Sequence, residues 1–123
     1  DGYSVEVTNQ VAREIIEEVN STIVQSEDQK YKALLTIYDD LTPLIVNTNG
    51  TVAKYRIEIE IEYELLKIDN DAVISKGTTR GFAQYDVTSS EIVNEDTKKS
   101  MTKIATKNAI QLMASRIQSS ISR

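Results

Sequence analysis

Polar and apolar residues alternate most regularly between residues 51 and 85. The odd positions from 53 to 65 are apolar or aromatic, and the even positions from 54 to 64 are charged. Strand side chains point alternately to two faces, so this pattern predicts a β-strand with one face in the core and one in water. A helix would spread the same isoleucines around its whole circumference. The turn residues 69–71 and a second β-like run at 73–85 follow, which together predict a hairpin.

Two apolar stripes with helical spacing lie on either side of the strand region. The first joins Val11, Ile15, Val19 and Ile23, with Thr8 or Asn9 as the expected N-cap. The second follows an N-cap at Ser89 or Ser90 and ends near Ile121. Its apolar positions are Met101, Ile104, Ala105, Ala109, Leu112, Met113, Ile117 and Ile121. Both segments are predicted to be amphipathic helices that cover the apolar face of the strands.

The other segments predict further strands. Residues 1–7 alternate briefly, as a short strand or a frayed terminus, and residues 31–38 alternate as a second strand. Pro43 makes residues 39–46 a bent or bulged edge strand, and the Asn-Gly pair within residues 47–50 predicts a hairpin turn. We therefore predict one α+β domain over residues 1–123 with the order (β)αβββα. It is a two-layer sandwich, with two helices packed on one face of a mostly antiparallel three- to four-stranded sheet.

Two glycines interrupt the last predicted strand. Gly77 and Gly81 lie within a segment where glycine indicates a bulge, a bend or the close approach of another backbone. Room for the crossing helices is the favoured interpretation, and an edge that a partner can approach is the alternative.

Composition restricts the chemistry that the chain can perform. The 123 residues include no cysteine and no histidine, which removes thiolate sites, cysteine nucleophiles and the usual general base. We therefore expect no catalytic site, no metal and no cofactor. A net charge of −5 argues against nucleic-acid binding, which favours a basic surface. No apolar run approaches the roughly 20 residues of a membrane helix, and we expect a mature form whose targeting segment has been removed.

A row of carboxylates on the charged face of the central strand is the most conspicuous candidate for chemistry. Glu58, Glu60, Glu62 and Glu64 are spaced about 7 Å apart along the strand. Such a row could supply an acid-base pair or oxygen ligands for calcium or magnesium. Cross-strand pairing with basic residues explains it without a function and is favoured; the candidate partners are Lys32, Lys76 and Arg80.

The order of segments resembles the LPS-assembly lipoprotein LptE family. The resemblance is strongest over residues 51–90, where AKYRIEIEIEYELL is followed by VISKGTTRGFAQYDVTSSE, with the aromatic pair Phe82 and Tyr85. It extends loosely over residues 31–121, from the second strand through the Asn-Gly turn to the closing lysine-rich helix. The motif is diffuse, a pattern of spacing and residue type.

The resemblance implies a non-catalytic protein of the Gram-negative outer membrane, facing the periplasm and held by an N-terminal lipid anchor. It also implies that the protein sits as a plug inside the LptD β-barrel, where it assists barrel assembly and lipopolysaccharide delivery to the outer leaflet. In the family, basic residues near the turn between strands two and three and just before the last helix are associated with lipopolysaccharide. Residues 47–49 and 92–94 stand there in this chain, and none is basic. The alternatives are a stand-alone periplasmic binding or adaptor module with another partner, and a carboxylate-based metal-dependent enzyme.

A different basic patch is the candidate for binding lipopolysaccharide phosphate. Lys54, Arg56, Lys76 and Arg80 are expected at the same end of the third and fourth strands if the hairpin pairs about residues 69–71. Salt bridges to the glutamate row are the alternative role for these four side chains.

Overall fold

The computed structural model describes residues 2–23 and 29–122, and it confirms the predicted order of elements. In chain order they are β1 (Gly2–Val7), α1 (Arg13–Thr22), β2 (Gln29–Val46), β3 (Val52–Lys67), β4 (Val73–Asp86) and α2 (Glu91–Ile121). The strands form one sheet in the order β1-β2-β3-β4. β1 is parallel to β2, and the other two pairs are antiparallel. The α+β class is confirmed, with residues 2–7 as a full strand; Asp1 lies outside the described residues.

The core lies between the helices and the odd-numbered positions of the sheet, as the alternation predicts. In β2 and β3 the core positions are Ala33, Leu35, Ile37, Ile57, Ile59, Ile61, Tyr63 and Leu65, and each is at most 4% exposed. The helices contribute Ile15, Val19, Ala105, Ala109, Ile110, Met113 and Ile117. Each fully buried isoleucine, leucine or methionine stabilises the fold by about 1.5–3 kcal/mol. The helix layer is therefore held on one face of the sheet by hydrophobic burial.

The strand irregularity predicted at Pro43 is present. β2 continues to Val46, but its register against β3 shifts between Pro43 and Ile45 and again between Ile45 and Val46. The turn that follows closes with a hydrogen bond from the Asn47 amide to the Thr51 carbonyl (2.8 Å), and Gly50 takes a φ of 89°. Glycine adopts this left-handed conformation without a steric cost.

The start of α1 differs from the prediction. Thr8 and Asn9 do not cap the helix, which begins at Arg13 without a side-chain cap. Asn9 instead donates to the Ile37 carbonyl (2.8 Å) and accepts from the Ile37 amide (3.1 Å). Thr8 bonds the Leu35 carbonyl through both its amide and its hydroxyl. Both side chains therefore extend the β1–β2 ladder, because they still lie beside β2 when the chain leaves β1.

The predicted cap of α2 is confirmed, whereas two of its predicted core positions are wrong. The Ser90 hydroxyl accepts from the Val93 amide (3.3 Å). Ile104 and Leu112 are 46% and 51% exposed, and Thr106 and Ile110 are buried in their place. The buried positions follow the 3.6-residue period, and Ile104 and Leu112 lie about a quarter turn or more off that stripe.

Gly81 marks the place where α2 crosses the sheet. A β-carbon on Gly81 would collide with the Ala105 carbonyl oxygen and lie 2.7 Å from the Ala109 nitrogen. On Gly77 it would meet the Tyr63 hydroxyl at 2.8 Å. The favoured interpretation of these glycines, room for a crossing helix, is confirmed at Gly81.

The two helices cover different lengths of the sheet. We call the end at the turn of residues 47–51 the distal end and the end at residues 68–72 the proximal end. α1 is about 15 Å long and α2 about 46 Å. Glu17 of α1 pairs with Lys103 of α2 (3.9 Å), and Ile23 and Ala114 line one small depression nearer the proximal end. The distal third of α2 therefore has no helical neighbour among the described residues.

Candidate functional site

The open face of the sheet carries the glutamate row, and Arg80 joins two of its members. The Arg80 Nη2 atom lies 2.7 Å from Glu60 Oε1, and its Nε atom lies 3.9 Å from Glu58 Oε1. The predicted cross-strand pairing is therefore present at this position. Within the described residues Glu62 and Glu64 have no ion pair, and they border a shallow open depression of about 660 Å³.

The predicted pairing of Lys32 with the glutamate row is wrong. Lys32 lies opposite Leu66 in the β2–β3 register, and its Nζ atom lies 3.9 Å from Glu6 of β1. Within residues 2–23 and 29–122, no three acidic side chains come together in a geometry that could hold a metal ion. The row is an extended line of carboxylates along one strand, which separates its members.

The four candidate cations do not lie at one end of the sheet, so that prediction is wrong. Lys54 is opposite Asp86, and Lys76 is opposite Glu64. An antiparallel hairpin places the start of β4 beside the end of β3, and Lys54 is near the start of β3. Ten residues of strand, about 33 Å, therefore separate Lys54 from the position of Lys76.

The pair that remains together is Lys54 and Arg56, about 7 Å apart on the distal open face. Lys54 lies 3.8 Å from Asp86 in a pair that solvent screens. The Arg56 guanidinium carbon lies 5.3 Å from the centre of the Phe82 ring, and its Nε atom is buried without a hydrogen-bond partner in the described residues. An unpaired donor on a cation held by an aromatic ring is suited to donate a hydrogen bond to an anionic oxygen.

On the helix side, the uncovered distal third forms an open groove of about 460 Å³. Leu41, Tyr55 and Tyr85 line it from the sheet, and the rings of Tyr55 and Tyr85 are 5.6 Å apart. Glu91 and Glu95 line it from the first turns of α2. Burial, together with Tyr55 and Glu95, raises the pKa of Tyr85 above its usual value near 10, and burial raises the pKa of Tyr3. Both phenols are therefore protonated at neutral pH.

Exposed apolar side chains are also found at the distal end of β2 and in the first turn of α2, and the sequence analysis did not single them out. They are Leu41, Leu44, Ile45 and Val46 on β2, with Ile92 and Val93 on α2, between 38% and 78% exposed. We call this set the distal apolar surface. The three consecutive apolar residues 44–46 break the alternation of β2, which is the sequence signal for it. Within the described residues, neither helix has the length and apolar character needed to cross a membrane.

Solved structures of bacterial lipoproteins share this fold. A Caulobacter crescentus protein with a provisional lipoprotein name has a TM-score of 0.76 at 14% identity, covering 98% of this chain and 90% of its own. Rare lipoprotein B from Shewanella oneidensis has a TM-score of 0.58 at 18% identity (97% and 98%), and a minor lipoprotein from Acinetobacter baumannii one of 0.57 at 11% identity (95% and 90%). At these identities the similarity establishes the fold. No protein-family model and no curated protein matches the sequence.

Proposed function

We propose that this protein is a non-catalytic outer-membrane lipoprotein that binds an LptD-like β-barrel from the periplasmic side, plugs it and assists lipopolysaccharide delivery to the outer leaflet. The observation that carries the proposal is the correspondence of the whole fold with bacterial lipoproteins, over 98% of this chain in the Caulobacter protein. An N-terminal lipid anchor would hold the domain at the membrane. The proposed barrel partner rests on the resemblance of residues 51–90 to the LptE family.

The surfaces of the molecule support a binding role. The distal apolar surface leaves large side chains in water on a domain whose core is otherwise well covered, and such surfaces are typical of protein interaction sites. The two phenols with a raised pKa are poor general bases at neutral pH, because they stay protonated. An adaptor with another envelope partner is the competing function.

Co-purification from membranes tests the barrel partner. The full-length protein with a C-terminal affinity tag is extracted in mild detergent from its own membranes and purified. We expect an outer-membrane β-barrel in equal amount, recognised by its changed gel mobility when it is not boiled. Recovery of the tagged protein without any barrel would contradict the proposal, and recovery with a soluble envelope protein would favour the adaptor.

For lipopolysaccharide we propose the Lys54 and Arg56 pair as the phosphate contact. Arg80 is engaged by two glutamates, and Lys76 is remote from the pair. Removing both side chains of the pair, Lys54→Ala with Arg56→Ala, should weaken lipopolysaccharide binding about tenfold or more, because charge-assisted bonds to phosphate contribute about 1.5–3 kcal/mol each. Lys76→Ala is the matched control and should bind normally. Unchanged binding by the double variant at low ionic strength would remove this pair from consideration.

A further inference from the structure

The distal half of β2 has an unpaired outer edge. β1 pairs with β2 only as far as Leu35. The Asn9 side chain then hydrogen-bonds both the amide and the carbonyl of Ile37. Backbone groups of alternate strand residues point to the same side, so the amides and carbonyls of Asp39 and Leu41 also face outward. Within the described residues these groups have no hydrogen-bond partner on that side. Pro43 continues the series with an outward carbonyl, and its missing N–H falls on the open side, where proline is tolerated in strands.

The edge is flanked by side chains that specify a kind of partner. Leu41 and Leu44 are 38% and 39% exposed beside it. Asp39 and Asp40 lie on opposite faces of the strand, are exposed, and have no ion pair within the described residues. Across a strand pair, opposite charges and apolar contacts stabilise, and like charges destabilise. A second copy of this chain, with net charge −5, would bring two acidic edges together.

We propose that residues 39–43 of β2 are a docking edge for an added strand from a partner protein, in which basic residues alternate with apolar ones. The strand would form backbone hydrogen bonds with Asp39, Leu41 and Pro43. Its apolar side chains would lie on the helix side of the sheet beside Leu41, and its cations would lie on the open face beside Asp40. Backbone bonds supply affinity in this mode, and the alternating side chains supply specificity. The inference concerns the strand edge alone and does not depend on the proposed barrel.

A peptide experiment tests the edge directly. The probe is a short fluorescent peptide in which lysine alternates with valine. A second peptide of identical charge has its central valines N-methylated and cannot complete a ladder. We expect the first peptide to bind and to slow hydrogen exchange at the amides of Asp39 and Leu41. Equal binding of the N-methylated peptide, or slowed exchange on the β4 edge instead, would overturn the proposal.

Two variants at Leu41 separate the backbone from the side chain. Leu41→Ala and Leu41→Pro both remove the side chain, but only proline removes the outward N–H. We expect Leu41→Pro to bind at least about tenfold more weakly than Leu41→Ala, because it loses a hydrogen bond and blocks the ladder. Equal loss in both variants would assign binding to the groove side chains and overturn the strand mode.

A charge variant keeps the test decisive if Leu41→Pro does not fold. Asp40→Lys should weaken binding of the lysine peptide, with the largest effect at low ionic strength. Asp69→Lys makes the same charge change at the proximal turn and should leave binding within about twofold, because it lies beyond the screening length from the edge. Equal weakening by both variants would show attraction to the overall charge of the protein and would overturn the proposal.

Discussion

Gly81 sits directly beneath α2, at a close approach of the sheet to the helix backbone. Any side chain there must displace the helix, because the atoms it meets are the backbone of Ala105 and Ala109. Gly77 faces the end of the Tyr63 ring, which can move. Two glycines in similar strand positions therefore have different tolerance for substitution.

We predict that Gly81→Ala lowers the free energy of unfolding by about 2–3 kcal/mol, near the upper end of costs for overpacking a core. Gly77→Ala is the matched control and should cost about 1 kcal/mol or less, since only a side chain must shift. Urea denaturation of both variants gives the comparison. Similar midpoints for the two variants would contradict the tight crossing at Gly81.

Alkaline pH should destabilise the fold through two tyrosines. Burial raises the pKa of Tyr3 and Tyr85 in the folded state, so their stabilising contribution is complete below the unfolded pKa near 10 and is lost as pH rises through the folded value. The free energy of unfolding should therefore fall steeply above about pH 10. The double variant Tyr3→Phe with Tyr85→Phe should show a shallower fall. An identical pH profile in the variant would refute this assignment.

The role of a single residue was hardest to predict from sequence where the same side chain could serve two structural roles. Asn9 can cap a helix or complete a strand edge, and only the proximity of Ile37 decides in favour of the edge. Ile104 and Ile110 are equally apolar, and the buried one was decided by the helix rotation that places Ala105 over Gly81. Local periodicity encodes neither the proximity of Asn9 to Ile37 nor the rotation of α2 about its axis.

At the scale of elements, the side chain of Asn9 ends the β1–β2 ladder and marks where the free edge begins. Asn9→Ala removes both of its bonds to Ile37 and should cost about 1–2 kcal/mol, because the backbone groups lose their protein partners. Hydrogen exchange at the Ile37 amide should become faster by an order of magnitude or more. Asn9→Asp keeps the acceptor for that amide and should show a smaller change. Unaltered exchange in Asn9→Ala would mean that another group holds the edge.

The strands were predictable because their signals are local. Six consecutive alternations set the faces of β3, and the Asn-Gly turn set its pairing with β2. The parallel addition of β1 was not predicted, because it depends on contacts between distant residues. The error in placing Lys76 beside Lys54 was one of register, since an antiparallel hairpin pairs the first residues of β4 with the last residues of β3.

At the scale of the whole molecule, the two helices leave the sheet unevenly covered. α1 covers only the proximal part of the sheet. The distal end therefore presents a groove, a free strand edge and the distal apolar surface together. The proximal end carries α1 and β1 as well as α2, and its exposed apolar side chains are Ile68, Val73 and Ile74 beside the β3–β4 turn. We expect the distal end, where three binding features coincide, to be the end that meets a partner.

Site-specific photocrosslinking in cells tests this account most directly. A photoreactive residue is placed at Ile45 in the distal apolar surface or at Ile68 in the proximal turn, which are similarly exposed at 50% and 47%. We predict that Ile45 yields a crosslink to an outer-membrane β-barrel and that Ile68 yields markedly less. Equal crosslinking from both positions would contradict the distal end as the binding surface, and no barrel adduct from either would contradict the proposed function.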